Sequence, residues 1–290
     1  MKHYRWALEA ESEKGEHMSV KTTVELGNVQ KTLFFPLWSR AFESKKENPL
    51  LVDKTALEIV EKVDYDFSPI AKNMTELSQI TWIIRSICVD GVIKNFVDKY
   101  PSATIVNIDC GLDTTFDRID NGTLLWYDLD LSDVIRLRKK FIKENERRKF
   151  IAGSFLEKGW LGEIRVDENV LFIAAGVFYY FEEAEIKDFL IRIADNFPGS
   201  EIFFDVSSPY GIKRANKMII KNSGLDEGSF LKWELKSTKD ILSWDERFKL
   251  LKTYDYYRGR HHHLSLQSKI IGFISDLFRI QYMVHLAIMR

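Results

Sequence analysis

Short apolar runs alternate with helical stretches along the chain after Pro101, and this alternation restricts the fold more than any other feature of the sequence. Runs rich in β-branched and aromatic residues are typical of strands. The predicted strands are Thr104–Asp109, Thr123–Asp128, Lys149–Ala152, Val170–Ala175, Glu201–Val206, Phe230–Lys236 and Tyr282–Ile288. The predicted helices in this part are Leu131–Asn145, Glu182–Asn196, Gly211–Asn222 and Leu264–Arg279. This order predicts an α/β fold with a mostly parallel sheet, since continuously apolar strands suit a sheet that is covered on both faces.

The chain before Pro101 has no comparable runs and is predicted to be helical. Apolar residues recur at three- and four-residue spacing between Gln30 and Ile70 and again between Gln79 and Lys99. Asp53 is suited to cap the helix that follows it. We therefore expect residues 1–23 to be a disordered extension, residues 24–100 a helical cap, and residues 101–290 an α/β core that forms one integrated domain with the cap.

The composition argues against several functional classes. The 42 Lys and Arg residues balance 43 Asp and Glu residues, so the charge of the whole chain favours neither nucleic acid nor an anionic membrane. The basic stretch Arg136–Lys149 also contains acids, which is typical of a solvated helix. The apolar stretch Leu264–Met289 carries charges too often to span a bilayer. We therefore expect no nucleic-acid or membrane partner. The two cysteines, Cys88 and Cys110, suit a reducing compartment, so we expect a cytoplasmic protein.

Disulfide and metal chemistry are not indicated by the sequence either. Cys88 and Cys110 form no CxxC pair, so neither a disulfide framework nor a zinc site is predicted. The run His261–His263 has no cysteine or acidic partner at the spacing of metal ligands. It is predicted to be an exposed loop, and we expect no metal site.

The first turn after a core strand contains Gly111, and the next strand ends at Asp128, with Asp130 two residues later. Ligands of doubly wound sheets bind at the carboxyl ends of strands, where a glycine turn approaches the ligand and an acid about 20 residues later binds a ribose. Both features also have ordinary explanations, because Gly111 could form a plain tight turn and either acid could cap a helix. Together they favour a nucleoside site without deciding it.

Several longer motifs occur in a fixed order from about Val24 to the C-terminus. They are Val29–Thr32, Pro36–Ala41, Asn48–Leu50 with Asp53 and Ala56, Val63–Phe67, Arg85 with Asp90, Cys110–Thr114, Leu129–Leu131 with Val134, Ile135 and Arg138, Ser154–Glu157 with Trp160, and Gly176–Phe178 with Tyr180. This ordered set resembles the leucine carboxyl methyltransferase family of S-adenosylmethionine-dependent O-methyltransferases, in particular its bacterial polyketide-synthesis branch. The resemblance implies a Rossmann-like class I methyltransferase fold, with seven mostly parallel strands, an antiparallel last strand and an N-terminal helical cap.

The resemblance also implies a cofactor, S-adenosylmethionine, and residues that would bind it. Arg85 would bind the carboxylate of the cofactor, for which an arginine fork is suited, although a surface arginine is the alternative. Asp130 would bind the ribose, with Asp128 as a nearby substitute. The other implied cofactor residues are Asp109, Gly111, Asp113, Ser154, Phe155, Leu156, Ala175, Gly176 and Tyr180, with residues 154–156 beside the adenine. Residues expected to bind the acceptor are Trp38, Arg40 and Tyr179.

Three residues depart from the family pattern. Asp109 stands where a glycine is usual, Thr115 where an arginine is common, and Ala175 where a glutamate usually precedes the glycine. Asp109 places a side chain at the closest backbone approach, and Ala175 removes a partner for the amino group of the cofactor. A degenerate, non-catalytic paralogue that has lost tight cofactor binding and acts as a binding module is therefore an alternative to the enzyme.

The acceptor is expected to be a small, polyketide-like carboxylate. A carboxylate is ionised at neutral pH and needs no general base, whereas a phenol needs one. No residue of the sequence stands out as such a base, so no catalytic side chain is predicted. Methylation of the C-terminal carboxylate of a protein remains a further alternative.

Overall fold

The computed structural model describes residues 21–23, 32–222, 231–259 and 264–290. The predicted disordered extension lies outside these ranges except for its last three residues, and so do Val29–Lys31, Phe230 and the histidine run His261–His263. The chain divides into two compact units between Ile83 and Ile84.

The N-terminal unit is mostly helical. It contains helices α1 (Phe34–Ser44), α2 (Lys54–Lys62), α3 (Ser68–Asn73) and the beginning of α4 (Glu76–Lys99), with the parallel two-residue strands β1 (Thr22–Thr23) and β2 (Val63–Asp64). The Asp53 carboxylate accepts a hydrogen bond of 2.9 Å from the backbone N–H of Ala56. This contact confirms the predicted cap of α2, because it satisfies one of the free N–H groups at the start of the helix.

The C-terminal unit is built on a seven-stranded sheet. Its strands are β3 (Thr104–Ile108), β4 (Leu125–Asp130), β5 (Arg148–Ala152), β6 (Val170–Ala174), β7 (Glu201–Ser207), β8 (Phe248–Asp255) and β9 (Gln281–Ile288). They lie in the order β5-β4-β3-β6-β7-β9-β8, and β9 runs in the opposite direction to the other six strands. The predicted Rossmann-like sheet with an antiparallel last strand is confirmed.

Helices connect most of these strands. They are α5 (Thr115–Ile119), α6 (Ser132–Arg138), α7 (Glu183–Asn196), α8 (Pro209–Asn222), α9 (Thr238–Leu242) and α10 (Leu266–Leu277). Helix α6 ends at Arg138 rather than at the predicted Asn145. The residues between Arg138 and β5 are mostly charged, so they offer no continuous apolar face that would stabilise a longer helix.

One predicted strand is wrong over the residues that the structure describes, and one strand was not predicted. Residues 231–236 of the predicted strand Phe230–Lys236 do not join the sheet. The alternation of apolar and polar residues arises because Trp233 and Leu235 are buried in the core. The backbone N–H of Leu235 donates to the carbonyl of Ser207. The sixth strand of the sheet is β8 instead, whose mixed charged and apolar residues belong to an edge strand.

The buried strands explain where the polar site lies. Every residue of β3 and of β6 is buried, so both faces of the central sheet are covered. The order of the strands reverses between β3 and β6, because the chain continues from β3 to β4 and β5 on one side and from β6 to β7 on the other. Ligands of open α/β sheets bind at such a point, at the carboxyl ends of the strands.

Candidate functional site

The turn that follows β3 lies on one side of this switch point. Asp109 and Gly111 both have left-handed backbone conformations, with φ of 47° and 50°. The Gly111 N–H donates to Oδ2 of Asp130 at 2.7 Å, and Oδ1 of Asp130 accepts from the Leu131 N–H at 2.7 Å. The Asp130 carboxylate therefore joins the β3 turn to the end of β4. A left-handed conformation costs an ordinary residue about 1–2 kcal/mol, so Asp109 strains the turn.

The two carboxyl groups of this turn affect each other. Burial and the charge of Asp130 raise the pKa of Asp109 well above its usual value. Burial also raises the pKa of Asp130 to about 6, although hydrogen bonds from the N–H groups of Gly111 and Leu131 oppose the rise. The pair therefore takes up a proton at a pH at which exposed aspartates are fully ionised.

Asp128 differs from Asp130 although the two stand close together in sequence. The strand predicted to end at Asp128 extends to Asp130, which leaves Asp128 fully buried inside the sheet. Its Oδ2 accepts from Nη2 of Arg138 at 2.8 Å and from Nε of Arg148 at 3.0 Å. Arg138 also donates to the carbonyl of Gly111 at 2.9 Å. Asp128 thus supports the turn through Arg138, while Asp130 contacts the turn directly.

Asp113 closes the same turn at the start of α5. Its carboxylate accepts from the backbone N–H of Thr115 at 2.9 Å and from the Thr115 hydroxyl at 3.0 Å. The Thr115 hydroxyl in turn accepts from Nη2 of Arg118 at 2.8 Å, and the same nitrogen pairs with Asp90 of α4 at 2.8 Å. Thr115, which departs from the family pattern, therefore contributes to a network that anchors the turn to α4.

A second group of residues lies on the other side of the switch point, at the end of β6. Gly176 has a φ of 87°, and a Cβ atom at this position would lie 2.5 Å from Nη1 of Arg85. Nη1 of Arg85 donates to the hydroxyl of Tyr179 at 3.2 Å and to Oδ2 of Asp205 at 3.3 Å. The Arg85 guanidinium thus packs against a turn that only glycine accommodates, which excludes the alternative of an ordinary surface arginine.

Asp205 and Tyr256 complete this second group and were not predicted. The Gly176 N–H donates to Oδ1 of Asp205 at 2.6 Å, while the hydroxyls of Tyr179 and Tyr256 donate to its Oδ2 at 3.2 and 3.0 Å. Asp205 interrupts the apolar run Ile202–Val206 of β7, and an acid at a buried position of a strand was a signal that could have identified it. Tyr256 follows β8, the strand that the sequence did not reveal, so it had no such signal.

The tyrosines of this group are hydrogen-bond donors. Burial, followed by the charge of Asp205, raises the pKa of Tyr179 and of Tyr256 well above the usual value. Both hydroxyls therefore stay protonated at neutral pH. The half-buried ring of Tyr180 packs edge-on against Tyr179, with 5.2 Å between the ring centroids. Ala175 is half-buried next to the Gly176 turn.

The loop after β5 contains Ser154, Phe155 and Leu156. The Phe155 ring is buried in the core, and its centroid lies 4.7 Å from that of Phe181 and 5.0 Å from that of Phe189. Ser154 and Leu156 are half-buried, and the Leu156 N–H donates to the Ser154 hydroxyl at 3.2 Å. The ring expected beside the adenine is therefore a core residue, and its two neighbours are the more accessible members of the loop.

Trp38 and Arg40, expected at the acceptor, lie on α1 in the N-terminal unit. The Trp38 ring is fully buried and stacks on Phe42 with 4.9 Å between centroids. Nε of Arg40 pairs with Asp53 at 2.9 Å, and both side chains are buried. These contacts stabilise the helical unit, since Asp53 also caps α2.

Within residues 21–23, 32–222, 231–259 and 264–290, no three His, Cys, Asp or Glu side chains are grouped as metal ligands. In the same part of the chain, no helix combines the length and the apolar character needed to cross a membrane.

The chain is similar in sequence and in fold to known proteins. A sequence model of the family described as leucine carboxyl methyltransferase matches residues 35–194. The chain is 30% identical over 194 residues to the tetracenomycin polyketide synthesis O-methyltransferase TcmP of Streptomyces glaucescens, which covers 67% of this chain and 71% of that protein. It is 29% identical over 203 residues to the S-adenosyl-L-methionine-dependent methyltransferase dpfgK of Gibberella zeae, and the match covers 64% of this chain and 68% of that protein. A solved DUF574 family protein from Streptomyces avermitilis has a similar fold, with a TM-score of 0.55 and 8% identity. That match covers 89% of this chain and 97% of the other.

Proposed function

Because the chain belongs to the leucine carboxyl methyltransferase family, as its motifs led us to expect, we propose that it transfers the methyl group of S-adenosylmethionine to an oxygen atom of a small-molecule acceptor. The observation that carries this proposal is the packing of Arg85 against the Gly176 turn, across the switch point from the Asp109 and Asp130 carboxyls. Two chemically different groups of residues thus lie where α/β sheets bind ligands.

The residues at these two turns fit the polar groups of the cofactor. The Arg85 guanidinium is suited to its carboxylate, because a planar fork of N–H donors matches two carboxylate oxygens. Asp130, at the end of β4 and in contact with the Gly111 turn, is suited to the ribose hydroxyls. The other residues proposed near the cofactor are Asp109, Asp113, Ser154, Leu156, the backbone of Phe155, Ala175 and Tyr180.

When bound, S-adenosylmethionine supplies an electrophilic methyl group on a positively charged sulfur. The protein contributes alignment, because an in-line displacement depends on the geometry between the attacking oxygen and the methyl group. Arg85 and Asp130 would fix the two ends of the cofactor for this purpose. Tyr179 and Tyr256, with their raised pKa values, are protonated donors rather than bases.

This arrangement favours an acceptor that is already ionised. A carboxylate needs no general base, whereas a phenol with a pKa of about 10 does. We therefore favour a carboxylate on a small, polyketide-like molecule as the acceptor, with methyl ester as the product. The roles of Trp38, Arg40 and Tyr179 at the acceptor stay predictions from the sequence.

Cofactor binding is the first experiment. Calorimetric titration with S-adenosylmethionine and S-adenosylhomocysteine is run on the wild type, on Arg85→Ala and on Arg165→Ala. Arg165 is a matched control, because it is 70% exposed and pairs only locally with Asp167 among the described residues. We expect the Arg85 variant to lose about tenfold or more in affinity, since a charged hydrogen bond contributes about 1.5–3 kcal/mol. A folded wild type that binds neither ligand would overturn the proposal and support the non-catalytic paralogue.

The acceptor class is tested separately with matched pairs of aromatic acids and phenols. Mass spectrometry detects the added methyl group, and mild alkaline hydrolysis distinguishes an ester from an ether. The proposal expects alkali-labile products from the acids. Ether products from the phenols alone would contradict the carboxylate assignment while leaving methyl transfer itself intact.

A further inference from the structure

Asp205 is a buried carboxylate with an unusual number of partners. Its side chain is 1% exposed, and it lies near the carboxyl end of the apolar strand β7. It accepts hydrogen bonds from the Gly176 N–H, from Nη1 of Arg85 and from the hydroxyls of Tyr179 and Tyr256. Three of these donors share Oδ2 and the fourth binds Oδ1. Because the side chain is 1% exposed and these contacts are all with other protein groups, Asp205 supports those groups rather than a ligand.

Arg85 is held by Asp205 in a particular way. Among the described residues, the hydrogen bonds of Arg85 involve Nη1 alone, which contacts Tyr179 and Asp205. Nε and Nη2 form the other edge of the guanidinium, and such a pair of parallel donors binds a carboxylate in a bidentate manner. The side chain is 13% exposed, so part of it reaches the surface. Asp205 and Tyr179 thus hold one edge of the guanidinium and leave a second edge for a ligand.

Two segments remote in sequence depend on the same carboxylate. Its Oδ1 holds the Gly176 turn at 2.6 Å, and this turn is the surface against which the Arg85 guanidinium packs. Its Oδ2 holds Tyr256, which directly follows β8 at the far edge of the sheet. Loss of the negative charge would leave a buried guanidinium without its partner, which is costly in a dry environment.

We propose that Asp205 is the positioning residue of the cofactor site, which orients Arg85 and the Gly176 turn so that Nε and Nη2 of Arg85 bind the carboxylate of the amino-acid portion of the cofactor. This proposal rests on the proposed function. Position 175, next to the Gly176 turn, is an alanine and carries no charge. In this proposal Asp205, supported by Tyr256, supplies the negative charge at that turn. Asp205 itself does not touch the cofactor.

The test compares two ligands that differ only in the part that Arg85 binds. S-adenosylhomocysteine contains the amino-acid portion, whereas 5′-methylthioadenosine contains the same nucleoside and thioether without it. We expect Asp205→Asn to weaken S-adenosylhomocysteine about tenfold or more, since a buried charged partner is lost. Its affinity for methylthioadenosine should stay within about twofold of the wild type. Tyr256→Phe, which removes one hydroxyl at constant volume, should show the same selectivity with a smaller loss.

Controls separate this role from a general loss of structure. Asp167→Asn, at a surface pair with Arg165, should bind both ligands as the wild type does. Asp205→Asn should have little additional effect in an Arg85→Met background, because the two residues then act through one contact. Circular dichroism and thermal unfolding confirm that each variant is folded, and Tyr256→Phe keeps the test valid if Asp205→Asn does not fold.

The outcomes distinguish the two proposals. A wild type that binds methylthioadenosine and S-adenosylhomocysteine, with equal losses of both in Asp205→Asn and in Tyr256→Phe, overturns the role of Asp205 alone. Fully additive losses in the Arg85→Met background do the same. A folded wild type that binds neither ligand overturns the proposed function, and the role of Asp205 with it.

Discussion

Replacing Asp109 by glycine should stabilise the protein, and more so at alkaline than at acidic pH. Removing a Cβ atom from a left-handed conformation, here with φ of 47°, gains about 1–2 kcal/mol in unfolding free energy. The greater freedom of glycine in the unfolded chain offsets about 0.5–1 kcal/mol of this gain. The net gain at acidic pH is therefore about 0–1.5 kcal/mol.

The pH dependence of this gain follows from the raised pKa of Asp109, which burial and the charge of Asp130 cause. The folded protein keeps a proton that the unfolded chain releases above about pH 4. The contribution of Asp109 to the unfolding free energy of the wild type is therefore fully present below about pH 4. It is lost as the pH rises through the pKa that Asp109 has in the folded state. Asp109→Gly lacks this loss, so its advantage over the wild type grows between pH 4 and pH 8.

Urea unfolding at pH 4.5 and at pH 8 measures both the constant gain from removal of the Cβ atom and the pH-dependent gain from removal of the carboxyl group. Asp109→Asn is the matched control, because it removes the charge and keeps the Cβ atom. We expect it to show the pH-dependent gain without the constant one. A lower stability of Asp109→Gly at pH 8 would refute the reasoning, because it would mean that the Asp109 carboxylate makes favourable contacts that outweigh its burial and the strain.

The remaining predictions concern the residues around this turn and the Gly176 turn. Gly176→Ala should weaken S-adenosylhomocysteine more than tenfold in calorimetry, because its Cβ atom would lie 2.5 Å from Nη1 of Arg85; unchanged affinity would contradict the packing. Asp128→Ala should lower the unfolding free energy by about 3–5 kcal/mol in urea titrations, because it leaves two buried arginines without their partner. Affinity for methylthioadenosine should rise as Asp130 ionises around its pKa of about 6, and Asp130→Asn should remove this pH dependence.

The fold was predictable mainly because the central strands carry their own signal. Strand β6 is buried on both faces and consists of apolar residues only, so it stands out in the sequence without reference to its neighbours. The edge strand β8 is half-exposed and carries charges, so its sequence lacks the continuous apolar run by which the central strands are recognised. The segment with Trp233 and Leu235 showed the reverse, because its alternate residues are buried although it is not a strand of the sheet.

The candidate site was predictable where a motif is local and not where contacts join distant segments. The Gly111 turn followed by Asp130 is a local pattern, and Arg85 and Gly176 belong to ordered family motifs. Asp205 meets Arg85 across 120 positions of sequence and Tyr256 across 51, so no spacing could reveal this group.

The sequence by itself determined the alternation of strands and helices, the glycine turns and the family, because these depend on residue types at short spacing. Only the tertiary structure decided which partner each charged residue has. It separated Asp128, buried between two arginines, from Asp130, which holds the Gly111 turn, and it gave Arg85 its partner in Asp205. The physical reason is that a buried charge requires a partner in space, and the fold rather than the sequence spacing brings that partner within reach.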